Sequence, residues 1–181
     1  MADRSIHQKQ RDDLTGEHAF TDIGQLVLAI LFFAVWIVDV FVLRWTAVSG
    51  ETVPLAARAS VAGLVFVSAV YLGYDSCRIL FAEHRAEPHV VRNGVFAVVR
   101  HPMYLAEILF YLGILLLACS IAATAVWLLV IAFLHVVARR EETLLLDRFG
   151  DAYAQYMAEV PMWIPDVRRR GGVPGVRRRR K

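Results

Sequence analysis

The sequence predicts an all-α protein that crosses a membrane several times. Hydrophobic residues make up 57% of its 181 residues and charged residues only 20%, which is more apolar than a soluble domain usually is. The mean hydropathy is +0.49. The apolar residues form runs, and about 20 such residues in a helix cross a hydrocarbon core about 30 Å thick. Helices suit these runs because their backbone satisfies its own hydrogen bonds in lipid.

We expect about four transmembrane helices. The last two apolar runs are separated only by Cys119 and Ser120. Each is short for a span, and together they are too long for one crossing. A tight helical hairpin that crosses and returns is therefore predicted, followed by a cytoplasmic helical segment. The predicted spans are approximately 23–43, 54–74, 103–118 and 121–138.

Charge and composition divide the chain into three parts. We expect a polar N-terminal segment over 1–20, a membrane domain over 21–165, and a basic disordered tail over 166–181. Residues 168–181 contain eight of the 20 basic residues, which leaves 12 basic against 17 acidic residues in the rest of the chain. Beside a membrane, such a tail attracts anionic lipid headgroups. No nucleic-acid partner is expected, because a membrane-tethered tail meets lipid first.

The positions of the basic residues predict the orientation. Arginine or lysine residues occur before the first span, between the second and third spans, and after the fourth, whereas the hairpin tip has none. Basic residues flanking membrane spans stay on the cytoplasmic side. The protein is therefore expected in the inner or plasma membrane with both termini cytoplasmic. Nothing in the sequence marks the two cysteines, Cys77 and Cys119, as a metal motif or a disulfide.

Two polar segments flank the predicted hairpin. In the first, Pro102 is suited to begin the third span, because a helix's first turn tolerates proline. His101 then lies near the N-cap, where the free N–H groups of the first turn favour a carboxylate. In the second, Glu141 and Glu142 follow the fourth span. Because the hairpin returns the chain to the same face, His101 and Glu141 are predicted neighbours.

Each of these segments also has a simpler interpretation. Arg100 and His101 are compatible with a plain membrane-interface anchor. The glutamates are compatible with solvated charges on an interfacial amphipathic helix.

The order of motifs in these segments resembles the isoprenylcysteine carboxyl methyltransferase family and its relatives, the membrane phospholipid methyltransferases. The resemblance covers roughly residues 89–165, which is under half of the chain. Phe96 stands where that family usually has a tyrosine, and Val137 stands where an arginine is expected. The matching motifs are Gly94–Phe96, Arg100–Tyr104, Glu141–Glu142, Phe149–Gly150, Tyr153–Tyr156 and Val160–Pro161.

The resemblance implies an enzyme that transfers a methyl group from S-adenosylmethionine. The acceptor would be a lipophilic or lipid-linked molecule with a carboxylate, amine or thiol nucleophile. Arg139 or Arg140 would orient the acceptor in place of the arginine replaced by Val137. The cofactor-binding residues implied by the resemblance are His89, Phe96, His101, Pro102, Met103, Tyr104, Glu141 and Glu142.

Two other functions are also compatible with the sequence. Sterol-reductase-like proteins have C-terminal hairpins that look related, and such an oxidoreductase would use a nicotinamide cofactor. The paired glutamates and the motifs after them argue against this alternative. The third hypothesis is a non-catalytic membrane protein that keeps the same scaffold and binds lipid.

Overall fold

The computed structural model describes residues 21–43, 53–83 and 89–165, and the regular structure within these ranges is helical. A 3₁₀ turn at Gly94–Ala97 precedes the hairpin. The predicted all-α fold is therefore confirmed. The predicted polar segment 1–20 and basic tail 166–181 lie outside the described residues. The helices are α1 (Thr21–Leu43), α2 (Leu55–Glu83), α3 (Pro102–Ala118), α4 (Ile121–Phe149) and α5 (Asp151–Glu159).

Helix lengths and hydropathy make the chain a polytopic integral membrane protein. Over the described residues, α1, α2 and α4 are long and apolar enough to cross a membrane, and α3 is a shorter apolar helix of 17 residues. At about 1.5 Å per residue, α3 is about 25 Å long, slightly less than the hydrocarbon core. Helices α2 and α4 continue well past the ends of the predicted spans. The predicted span ends mark the points where charged residues begin. No proline interrupts either helix at those points, so both helices continue.

The chain divides into two compact units by its internal contacts. The first unit contains the described residues of 1–67 and 108–140, and the second contains those of 68–107 and 141–165. Helices α3 and α4 are antiparallel neighbours within each unit, as the predicted hairpin requires. In the first unit, the Trp127 indole N–H donates to the Ile108 carbonyl at 3.0 Å. In the second, the Tyr104 hydroxyl donates to Glu141 at 2.5 Å.

An aromatic core holds the first unit together. The rings of Phe32 on α1 and Tyr111 on α3 have centroids 4.5 Å apart, and Phe32 is fully buried. Phe66 on α2 lies edge-on to Phe110 and covers Gly113, where a Cβ atom would lie 2.8 Å from the Phe66 ring. The glycine therefore permits close packing of α2 against α3.

The two charges that the sequence places inside the first two spans both contact the hairpin turn. Asp39 lies in a π-helical stretch, Val38–Leu43, and accepts a hydrogen bond from the buried Ser120 hydroxyl. Arg58 Nη1 donates to the Leu117 carbonyl at 2.9 Å. Ionisable groups at membrane depth are costly unless they are bonded, so these contacts allow both spans to keep their charges.

The second unit carries the predicted site residues. Its apolar core is formed by Tyr153, Tyr156 and Val160, with Leu145 and Phe149 of α4 among the side chains packed against it. Helix α4 ends at Phe149, and the next residue, Gly150, has a φ of +54° that is readily adopted only by glycine. This residue lets the chain turn directly into α5, so that the two tyrosines of α5 reach the core.

Candidate functional site

The start of α3 is built as the sequence predicts. Helix α3 begins at Pro102, and its first backbone bond runs from the Leu105 N–H to the His101 carbonyl at 3.1 Å. His101 therefore occupies the N-cap position, and both His101 and Pro102 are buried. The first-turn N–H groups precede this bond and form an electropositive helix end.

His101 lies between the two glutamates of α4. Its Nδ1 atom is 3.6 Å from Glu141 Oε2, and its Nε2 atom is 3.4 Å from Glu142 Oε1. The predicted proximity of His101 and Glu141 is thus confirmed. Both ring nitrogens therefore face carboxylate oxygens of α4, and the Glu142 oxygen is the nearer of the two.

Two aromatic rings contact His101. Tyr104, one turn further along α3, stacks on its ring with a centroid distance of 5.7 Å and an interplanar angle of 13°. Trp163, in the segment after α5, contacts the ring at 6.0 Å. The Tyr104 hydroxyl also donates to Glu141 Oε1. The histidine ring and the Glu141 carboxylate are therefore oriented by the same tyrosine.

Arg100 connects this cluster to the end of the described chain. Its Nε atom donates to Glu142 Oε1 at 2.7 Å, and the two side chains are only 10% and 3% exposed. Its Nη1 atom donates to the carbonyls of Met157, at 2.9 Å, and Val160, at 2.7 Å. Its backbone N–H donates to the Pro161 carbonyl at 3.0 Å. One arginine thus neutralises a buried carboxylate and anchors the end of α5 and the residues that follow it.

The 3₁₀ turn Gly94–Ala97 positions Phe96. The Val95 backbone N–H donates to Asp75 Oδ2 of α2 at 3.2 Å. On the other side, the Tyr156 hydroxyl of α5 donates to the Phe96 carbonyl at 2.8 Å. The turn is therefore held between α2 and α5.

These elements surround a cavity of about 290 Å³ in the second unit. Polar groups converge at one wall, and aliphatic and aromatic side chains form the remainder. This combination is typical of small-molecule sites. The lining residues are Leu80, His89, Val90, Val91, Phe96, Arg100, His101, Pro102, Met103, Tyr104, Glu141, Leu145, Phe149, Tyr153 and Tyr156.

The structure brings most of the predicted site residues to this cavity. All of the residues expected to bind a cofactor line it except Glu142. The Glu142 side chain is 3% exposed and lies against Arg100 and His101 behind the cavity wall. Arg139 and Arg140 are exposed on α4 and are not among the lining residues.

Sequence reasoning missed several contributors to this site. The sequence places Arg100 in the motif Arg100–Tyr104 and allows it to be an interface anchor, but gives it no role in the site. Asp75 gave a weak signal as the first charge after the second apolar run, but its turn partner is 20 positions away. Trp163 gave a signal as an aromatic residue in a short apolar segment after the Val-Pro motif. The contacts of Asp75 with Val95 and of Trp163 with His101 join residues far apart in the sequence. No helical periodicity therefore reveals them.

The cavity chemistry fits a cationic amino-acid-like ligand with apolar or aromatic parts. Glu141 offers a carboxylate that is 36% exposed, and the start of α3 favours a ligand carboxylate. The rings of Phe96, Tyr104 and Phe149 offer faces that attract cations. Together these groups match an amino acid that carries a positive charge.

Burial raises the pKa of the two α5 tyrosines that line the cavity. Desolvation, reinforced by the nearby Glu142 carboxylate, raises the pKa of Tyr153 from 10.0 to about 12. Desolvation and the neighbouring Tyr153 raise the pKa of Tyr156 further. Both phenols therefore stay protonated at neutral pH, and the Tyr156 hydroxyl keeps its proton for the bond to Phe96.

Fold and site together define a helical membrane protein with a cavity in its second unit, lined by polar and apolar groups. The phospholipid methyltransferase family model matches residues 54–152, which is more than half of the chain. The chain therefore belongs to the phospholipid methyltransferase family, and the predicted kinship is confirmed.

Two curated relatives match part of the chain. The protein-S-isoprenylcysteine O-methyltransferase of Schizosaccharomyces pombe is 32% identical over 97 residues, covering 53% of this chain and 41% of the relative. The cobalt-zinc-cadmium resistance protein CzcN of Cupriavidus metallidurans is 31% identical over 104 residues, covering 57% and 47%. The chain thus matches less than half the length of either relative. No solved structure matches.

Replacing Arg100 by methionine should destabilise the protein by about 3 to 5 kcal/mol, since it leaves Glu142 buried without its cation. Thermal unfolding in detergent measures the loss. The matched variant Arg140→Met removes an exposed arginine of α4 and should change stability by less than about 0.5 kcal/mol. Adding Glu142→Leu to Arg100→Met should recover part of the loss. Equal stability of the two single variants would contradict the importance of the ion pair.

Stability should fall at alkaline pH because of the α5 tyrosines. The folded-state pKa of Tyr153 is raised, so this phenol's contribution is fully present below pH 10 and is lost as pH rises towards about 12. Denaturant titrations at about pH 9 and about pH 11 should therefore show lower stability at the higher pH. The fall should be smaller in Tyr153→Phe. A variant with the same pH dependence as the wild type would refute this assignment.

Proposed function

We propose that the protein is an S-adenosylmethionine-dependent methyltransferase that acts on a lipophilic or lipid-linked acceptor. The observation that carries the proposal is the convergence of Glu141, His101 and the start of α3 on one cavity. Membership of the phospholipid methyltransferase family supports it. The similarity to a protein-S-isoprenylcysteine O-methyltransferase supports it as well.

The proposed roles follow from the chemistry of the lining residues. Glu141 accepts the donor's ammonium group, and Tyr104 holds that carboxylate in place. The first-turn N–H groups of α3 receive the donor's carboxylate, and His101 at the N-cap orients Glu141 beside it. The aromatic wall near Phe96 and Phe149 lies beside the positive charge. When bound, the donor supplies a methyl group already activated by its sulfonium.

The main tasks of the chain are then alignment and exclusion of water. A nucleophile must lie in line with the bond to the methyl group, and correct placement supplies much of the rate. The aliphatic wall formed by Leu80, Val90 and Leu145 excludes water and suits an apolar acceptor. A carboxylate or thiolate acceptor needs no base, whereas an ammonium must first lose a proton.

We also propose that Arg139 or Arg140 orients the acceptor. Both are exposed on α4, and neither lines the cavity, so they would act on an acceptor's outer part. Glu142 is assigned to the support of Arg100 and His101 rather than to direct cofactor contact. The proposal also puts the site and both termini on the cytoplasmic side of the inner or plasma membrane.

Calorimetry with S-adenosylmethionine in detergent tests the site. His101→Ala and Glu141→Ala should each weaken binding about 10- to 100-fold, as expected for the loss of a hydrogen bond to a charged group. His135→Ala and Asp147→Asn, which change exposed residues of α4 outside the cavity lining, serve as matched controls and should bind like the wild type.

The other outcomes distinguish the remaining functions. Wild-type binding of a nicotinamide cofactor alone would favour the sterol-reductase-like alternative. Binding of neither cofactor would favour the non-catalytic lipid-binding scaffold. Once donor binding is established, a screen of membrane extracts with radiolabelled methyl donor identifies the acceptor.

The basic tail is proposed to bind anionic headgroups. Removal of residues 166–181 should weaken association of the detergent-solubilised protein with anionic liposomes, and added salt should have the same effect on the wild type. A full-length variant with glutamine at the eight basic positions of the tail separates charge from length. Unchanged association of both variants would eliminate this role.

A further inference from the structure

A buried aspartate of α2 lies next to the turn that carries Phe96. Asp75 is 7% exposed and does not line the cavity. Its Oδ2 atom accepts from the Val95 backbone N–H at 3.2 Å, and its Oδ1 atom accepts from Arg78 at 3.0 Å. Burying a carboxylate is costly unless hydrogen bonds compensate. The buried Asp75 carboxylate therefore depends on these two hydrogen bonds.

Gly94 is fitted to this carboxylate. Its φ is +55°, a conformation that side-chain-bearing residues rarely adopt. A Cβ atom at this position would lie 2.6 Å from Asp75 Oδ2 and 2.6 Å from Ile79 Cδ1. The turn therefore approaches α2 more closely than any other residue would allow, and this approach brings the Val95 N–H within reach of Asp75.

The same turn leads directly to the cavity wall. Phe96 follows Val95, and its carbonyl accepts the Tyr156 hydroxyl at 2.8 Å. Val99, also buried, then leads into Arg100 and His101. Displacement at Val95 would therefore be transmitted to Phe96 and to the polar wall, because the turn joins them directly along the chain.

We propose that Asp75 is a positioning residue of the site, which fixes the turn Gly94–Ala97 and thereby places Phe96 and His101 at the cavity. This inference rests on the proposed function for its effect on donor binding. The contact between Asp75 and the turn is independent of that function and has its own measurement.

Two measurements on the full chain in detergent test the proposal. Hydrogen exchange of peptides spanning 94–100 should become faster in Asp75→Ala. Calorimetry should show S-adenosylmethionine binding about tenfold weaker or worse, as expected when a group that bonds the ligand is displaced. Asp75→Asn keeps an oxygen acceptor and should restore most of both. Arg78→Ala removes the other partner of Asp75, a 66% exposed arginine, and should match the wild type.

The outcomes separate this proposal from the proposed function. Wild-type exchange and affinity in a folded Asp75→Ala protein would overturn the positioning role, as would a lower melting temperature with unchanged affinity. An Arg78→Ala variant as impaired as Asp75→Ala would overturn it too. Should Asp75→Ala fail to fold, Gly94→Ala displaces the turn with the carboxylate intact, and wild-type affinity there would be equally contradictory. Absence of any wild-type binding sinks the proposed function, while the exchange measurement still tests Asp75.

Discussion

The buried ion pair between Arg100 and Glu142 is the interaction on which the second unit's site depends. Removing two charges from water is expensive, and their attraction compensates only when the remaining hydrogen-bonding groups are also satisfied. The Arg100 guanidinium also donates to the carbonyls of Met157 on α5 and of Val160, and the Arg100 backbone N–H donates to the Pro161 carbonyl. The electrostatic requirement therefore orders the end of the described chain. Trp163, within that segment, is brought against His101 as a result.

Adjacent glutamates on α4 have different environments because of helix geometry. Successive residues of an α-helix are about 100° apart around its axis, so both cannot face the same surroundings. The Glu142 side chain points inward and is 3% exposed, whereas that of Glu141 is 36% exposed and reaches the cavity. His101 contacts both and connects them. One glutamate supports the site and its neighbour is available to a ligand.

The hairpin and its two polar ends were predictable from local sequence rules. Apolar run length, the two-residue break at Cys119 and Ser120, and the proline at the start of α3 each act through neighbouring residues. The pairing of His101 with Glu141 followed because a hairpin must return to its starting face. Helices α2 and α4 continue beyond the predicted span ends, because charged residues can end a membrane span without ending the helix.

The contacts that shape the cavity were not predictable in this way. Asp75 meets Val95 across 20 positions, and Tyr156 meets Phe96 across 60. Backbone groups supply half of each contact, and a backbone N–H or carbonyl leaves no residue-specific mark in the sequence. The sequence also could not show that Glu142 is buried and Glu141 partly exposed. The two residues carry the same charge, and only the packing around α4 distinguishes them.

The amino-acid sequence by itself determined the membrane character, the helical hairpin and the motifs that meet at its ends. These depend on hydropathy, helix length and proline placement, which act over one or two turns. Only the tertiary structure decided which polar groups face the cavity and which are buried to support it. That choice depends on the desolvation and hydrogen bonding of each side chain, and both are set by residues distant in the chain.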